Sequence, residues 1–192
     1  MTQAITSAAI SRNNLLMVAA GGLVSGIFTT WLPALVENIV GTNGRFPLVQ
    51  FRLALIALPF AVLVFVLVRR FSRNASWAAL IAAIVTMVAF VCAVDAAILV
   101  EGNTGDAPRA MRYLLAGLTG GLVGTAVMAF GIALLPAGPR QAAAWWPMLI
   151  TGSLLGTLLA LDDALGLDKI AFLYPLWQAG VAVRLAMILR RS

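Results

Sequence analysis

The sequence predicts an all-α protein: a polytopic transmembrane bundle of six spanning helices with short loops, its N- and C-termini cytoplasmic. Three observations carry this. First, of 192 residues, 62% are hydrophobic and only 10% charged, with a mean hydropathy of +1.00. Soluble domains hold about 45–50% apolar and about 25% charged residues, and a water-soluble fold of this length could not hide so much apolar surface. Second, the apolar residues fall into six stretches, each near the roughly 20 residues that cross a bilayer. Third, the cations gather at alternate joints, as the positive-inside rule requires.

Taken in order, the stretches cover about 15–35, 46–68, 77–100, 110–135, 142–161 and 170–189. In lipid, runs this long satisfy their backbone only as helices. Asn13 and Asn14 offer a cap at the start of the first,. Its apolar run exceeds the 7–15 residues of a signal-peptide core, so it reads as a retained helix. Gly41-Thr42-Asn43-Gly44 turns the chain into the second stretch, where Pro59 lies mid-helix and predicts a kink,. The cationic joint from Arg69 to Asn74 leads into the third, and Gly102 to Asp106 into the fourth. Pro136-Ala137-Gly138-Pro139 precedes the fifth,. Pro47, Pro147 and Pro175 are expected in first turns, where a missing N–H costs little,. One domain, 1–192, follows from the absence of any long polar linker.

Charge sets the orientation. The segments placed inside hold Arg12, Arg69, Arg70, Arg73, Arg140, Arg184, Arg190 and Arg191; those outside hold Arg45, Arg52, Arg109, Arg112 and Lys169,. Glu37, Asp95, Glu101, Asp106, Asp162, Asp163 and Asp168 all fall at or near outer ends. Trp77, Trp145 and Trp146 would mark the inner interface, Trp31 and Trp177 the outer,. The net charge of +6 and pI near 11.1 are thus explained by orientation and do not call for nucleic acid,. The expected setting is a lipid bilayer, multi-pass, and the Arg-, Ala- and Leu-rich usage suits a bacterial inner membrane.

Composition also excludes chemistry. Without histidine, and with Cys92 as the one cysteine, the chain has no Ser-His-Asp triad, His-ligated metal, thiolate cluster or intrachain disulfide,. No phosphate loop or dinucleotide fingerprint is present, and no cofactor is expected,.

Two short internal echoes compete. Phe46-Pro47-Leu48-Val49-Gln50 resembles Tyr174-Pro175-Leu176-Trp177-Gln178, which relates spans one and two to five and six in parallel. Gly21-Gly22-Leu23-Val24 matches Gly120-Gly121-Leu122-Val123 in a span of opposite direction, as an inverted repeat would require,. Small-xxx-small pairs recur at Gly22 and Gly26, Gly117 and Gly121, Gly120 and Gly124, and Gly152 and Gly156. Four-residue spacing puts both glycines on one face, where backbones approach closely. These faces serve packing, or a homo-oligomer or membrane-protein partner.

The candidate site residues are Arg52, Asp95, Gln50 and Gln178. Asp95 lies about six residues inside its span, roughly 9 Å deep at ~1.5 Å per residue,. Arg52 reaches a similar depth, with Thr29 and Thr30 near that level. A lone charge at a helix centre costs roughly 2.5–3.5 kcal/mol, less near the interface, so these two should face each other or a wet cavity. Arg184 reads as a snorkelling residue. Asp162 and Asp163 are weak metal candidates, because adjacent helix residues point apart and both should end their span in water. The expected function is a transporter or channel for a small solute or ion. The alternative is a structural, assembly or sensing subunit that binds a membrane partner, lipid or other hydrophobe. A carboxylate-based membrane enzyme ranks third.

Overall fold

A computed structural model of the chain describes residues 2–40, 48–167 and 171–190. It is all-helical, 85% helix, and holds no strand among the described residues. The elements are α1 (Thr2–Val40), α2 (Leu48–Ile56), α3 (Leu58–Phe71), α4 (Ser76–Asn103), α5 (Arg109–Ala133), α6 (Ala142–Gly156), α7 (Leu158–Ala164) and α8 (Leu173–Leu189). Four stretches are long and apolar enough to cross a membrane: Asn13–Val36, Ser76–Asn103, Arg109–Ala133 and Ala142–Ala164. The α2–α3 pair makes a fifth if its two halves count as one span. The turn at 41–44, Arg45 to Pro47, Asp168, Lys169, Ile170 and Arg191 lie outside the described residues, as do the side chains of Arg12 and Glu37.

Each departure from the expected spans has a local cause. α1 starts well before Asn13 and Asn14, so these residues sit inside the helix and do not cap it; the Ala- and Ile-rich residues ahead of them sustain helix. The second stretch breaks at Ala57 with a bend of 52°. Pro59 falls in the first two positions of α3, where it has no N–H to donate to the carbonyl one turn back,. This is the kink the sequence predicts. The fifth stretch is interrupted at Thr157. α7 then closes on Gly166, at φ 63°. The N–H groups of Gly166 and Leu167 donate to the carbonyls of Asp163 and Asp162, both at 3.0 Å. This pair of reverse bonds needs a left-handed residue, which glycine supplies without a Cβ clash.

The helices form a ring in the order α1, α8, α6, α5, α4, α3 and back to α1. α3 also touches α8 across the ring, α7 lies on α5, and α2 leans on α1 and α4. α8 has 17 residues, about 25 Å of helix, short of the roughly 30 Å hydrocarbon core,. Much of its surface is buried against other helices, from Pro175 and Gln178 through Val181 and Ala182 to Leu185 and Leu189.

Glycine seams close the ring. An added Cβ at Gly22 or Gly26 would collide with the backbone of Ala179 or Pro175, which fixes α1 on α8. Gly117 and Gly121 meet the backbone of Gly156 and Gly152 reciprocally, fixing α5 on α6. Gly120 lies against the carbonyl of Ala93, fixing α5 on α4. Glycine at these positions lets the helix backbones approach closely and pack in van der Waals contact,.

One end of the bundle is cationic. The side chain of Asn74, before α4, accepts from the N–H of Ala137, after α5, at 3.0 Å. Arg190, after α8, lies 4.6 Å from the centroid of Phe71 at the end of α3. These contacts gather Arg69, Arg70, Arg73, Arg140 and Arg190 on one side. Near this end the core is solid: Val64, Val68, Ala82, Ile132, Leu185 and Leu189 are buried together.

Candidate functional site

The other half of the ring is hollow. A cavity of about 250 Å³ lies between α4, α5, α6–α7 and α8. On α4, Phe90, Ala93, Ala97 and Glu101 line it; steps of three and four place them on one helix face. α5 contributes Tyr113, Ala116, Gly117, Gly120 and Gly121, and α8 contributes Tyr174, Trp177 and Gln178. The small side chains of Ala93, Ala97 and Ala116 leave volume that larger side chains would fill.

The floor is aromatic. Phe60, in the first turn of α3, meets Trp177 edge-on, centroids 5.7 Å apart and planes at 64°, within the preferred range for aromatic pairs. The bend at Ala57 therefore sets where the floor lies. Phe90 and Tyr174 pair across the cavity from α4 and α8, also at 5.7 Å. Trp177 donates its indole N–H to the carbonyl of Gly152 at 3.0 Å. From Glu101 to Thr86 the lining follows α4 for about 22 Å,. It ends at Phe60, Met128 and Gln178, above the solid core.

Most polar groups of the wall are already engaged. Ser25 donates to Gln178 Oε1 at 2.7 Å, and Gln178 Nε2 donates to Thr29 Oγ1 at 2.9 Å. Thr29 in turn donates to the carbonyl of Ser25 at 2.9 Å. Thr86 donates to the carbonyl of Ala82 at 2.8 Å. Glu101 stands apart as the charged group of the wall. Its carboxylate makes no hydrogen bond or ion pair with any described residue, and it lies half-buried in the cavity wall.

The rim is held by the two carboxylates singled out as metal candidates. Asp163 pairs with Arg109, whose Nε and Nη2 donate to Oδ1 at 3.1 and 2.6 Å. Asp162 does not end its span in water as the sequence suggested: it is 2% exposed. Its carboxylate accepts from the backbone N–H of Phe172 at 3.0 and 3.3 Å and of Leu173 at 3.0 Å. It thereby caps α8 from a neighbouring segment, where orphan amides and the helix dipole favour an anion. Among the described residues, no group of three or more His, Cys, Asp or Glu is placed to hold a metal ion.

The four candidate residues separate into two places. Gln178 lies in the cavity floor, 1% exposed. Gln50 and Asp95 meet on the α2–α4 side, where the Gln50 amide donates to both carboxylate oxygens at 3.3 and 3.2 Å. Arg52 is half-buried on α2. None of Gln50, Arg52 and Asp95 lines the cavity. Arg184 departs from the snorkelling expectation: its Nε donates to Thr151 Oγ1 at 3.1 Å and ties α8 to α6. Trp145 and Trp177 are not interfacial markers either. Trp145 is buried and donates to the carbonyl of Pro139, and Trp177 belongs to the floor, because each indole N–H finds a carbonyl within the protein,.

Sequence reasoning missed Phe60, Phe90, Glu101, Tyr113, Tyr174 and Trp177 as site residues. One signal was available: aromatic, small, small and acidic at positions 90, 93, 97 and 101 make an unlike stripe on one helix face. Searches of protein-family models, curated proteins and solved structures find no match to this chain.

Proposed function

We propose that this chain is a small-solute carrier of a bacterial inner membrane, with the cavity between α4, α5, α6–α7 and α8 as its solute site. In this reading α2–α3 and α8 complete six crossings. Both termini are cytoplasmic, and the arginine-rich end faces the cytoplasm, as the positive-inside rule favours. The observation that carries the reading is the shape of the interior: a cavity lined from four sides reaches mid-bundle and stops on an aromatic floor above a solid core. A channel needs a continuous path, whereas a carrier holds its solute in a site open to one side at a time. The size fits a small solute, because 250 Å³ lies just below the 300–1,000 Å³ usual for small-molecule pockets,.

The test is uptake into proteoliposomes across a panel of labelled small solutes, with Val94→Trp alongside. Val94 is half-buried and lines the cavity, so an indole there takes up solute volume without entering a seam. Uptake by the wild type and its loss in a monodisperse Val94→Trp support the carrier reading. Equal uptake by both contradicts the cavity as the solute site.

The nearly apolar wall favours a second reading, a subunit that binds a hydrophobic ligand. That reading predicts a hydrophobe retained through detergent purification of the wild type, absent from Val94→Trp, and no uptake in liposomes.

A further inference from the structure

We infer that the solute is a small amphipathic organic cation, an amine or quaternary ammonium with an apolar body, whose charge lies by Glu101 and whose body rests on the aromatic floor; this rests on the cavity being the solute site. An anion needs a cation or free donors, yet no arginine or lysine lines the cavity among the described residues. The indole N–H of Trp177 and the hydroxyl of Thr86 are spent on carbonyls, and Gln178 is tied to Ser25 and Thr29. A sugar-like solute needs many donors and acceptors, and the wall offers few beyond the tyrosine hydroxyls. What is left facing the space is aromatic surface, the tyrosine hydroxyls and one carboxylate with no partner among the described residues. Aromatic faces attract ammonium groups through the ring quadrupole, and a half-buried carboxylate draws a cation more strongly than one in bulk water.

The rim shows the same preference within the protein. Arg109 lies 5.7 Å from the centroid of Tyr113, with its charge balanced by Asp163. Glu101 has no such cation among the described residues. Along α4, Glu101 and Phe90 are separated by roughly 16 Å of helix. A charge at the rim and an apolar body reaching Phe90, Tyr174 and Trp177 therefore use both ends of the cavity.

Calorimetry in a non-ionic detergent tests this with three probes of one chain length: hexyltrimethylammonium, hexanol and hexanesulfonate. The expected order is the ammonium tightest and the sulfonate weakest. Glu101→Gln should weaken the ammonium by about tenfold, with hexanol unchanged. Glu101→Asp, which keeps the charge, should recover most of that loss. Equal binding of the three probes, or an unchanged ammonium affinity in Glu101→Gln, overturns the inference. If such probes still lose binding in Val94→Trp, the cavity remains the site and only its charge preference is wrong. Binding that Val94→Trp leaves untouched overturns both.

Discussion

Removing the Asp162 carboxylate should loosen the top of α8 at a calculable cost. Two backbone amides donate to it, Phe172 and Leu173, in a site only 2% exposed. A hydrogen bond to a charged group contributes about 1.5–3 kcal/mol, and losing a helix cap costs about 0.5–2 kcal/mol. The helix end lies close enough to water to recover part of this. Asp162→Ala should therefore destabilise the protein by about 2–4 kcal/mol, and Asp162→Asn, which keeps an acceptor oxygen, by about 1 kcal/mol. The assay is reversible unfolding in mixed micelles of non-ionic detergent and dodecyl sulfate, followed by circular dichroism. Leu173 and Tyr174 line the cavity just beyond the cap, so probe binding should weaken in Asp162→Ala more than in Asp162→Asn. An Asp162→Ala variant within about 0.5 kcal/mol of wild type, the range of an ordinary surface change, would refute the reasoning.

Other consequences are direct. Gly156→Val should cost more than about 3 kcal/mol or prevent folding, because its side chain meets the backbone of Gly117; size-exclusion profiles and melting curves report it,. Gln178→Met should cost only about 0.5–2 kcal/mol, since Ser25 and Thr29 keep backbone partners at Gly22 and Ser25; unfolding in mixed micelles measures it,. Arg109→Ala should leave stability close to that of the wild type despite its 2.6 Å ion pair, because the arginine is 69% exposed and solvent screens the pair; the same titration decides,. Pro59→Ala should reduce the 52° bend at Ala57 and shift Phe60 from Trp177, read as a changed distance between spin labels on α2 and α3,.

The fold was legible where one physical rule acts alone. Apolar length located the helices, and Pro59 announced the bend because a missing N–H has a local effect that neighbours do not mask,. The glycine pairs announced packing, since only close backbone approach makes glycine useful mid-helix,. The site was less legible because it depends on helix rotation. Gln50, Arg52, Asp95 and Gln178 were grouped by depth, and depth says nothing about facing: Gln178 turns to the cavity while Gln50 and Asp95 meet elsewhere. Asp162 was misjudged for a related reason. Its partners, the amides of Phe172 and Leu173, come from a later segment, and main-chain donors leave no trace in side-chain identity. Trp177 looked interfacial by type and proved to be wall, held by the carbonyl of Gly152.

In the carrier reading the cavity is reached from the side opposite the arginine-rich end and is blind below. Single-cysteine labelling in a Cys92→Ala background tests it most directly. Ala97→Cys places a thiol in the cavity wall, and Val64→Cys places one in the solid core below the floor. With a membrane-impermeant maleimide added to right-side-out vesicles, the account predicts that Ala97→Cys is modified and Val64→Cys is not. Modification of Ala97→Cys only from the cytoplasmic face, or of Val64→Cys as fast as Ala97→Cys, would contradict it.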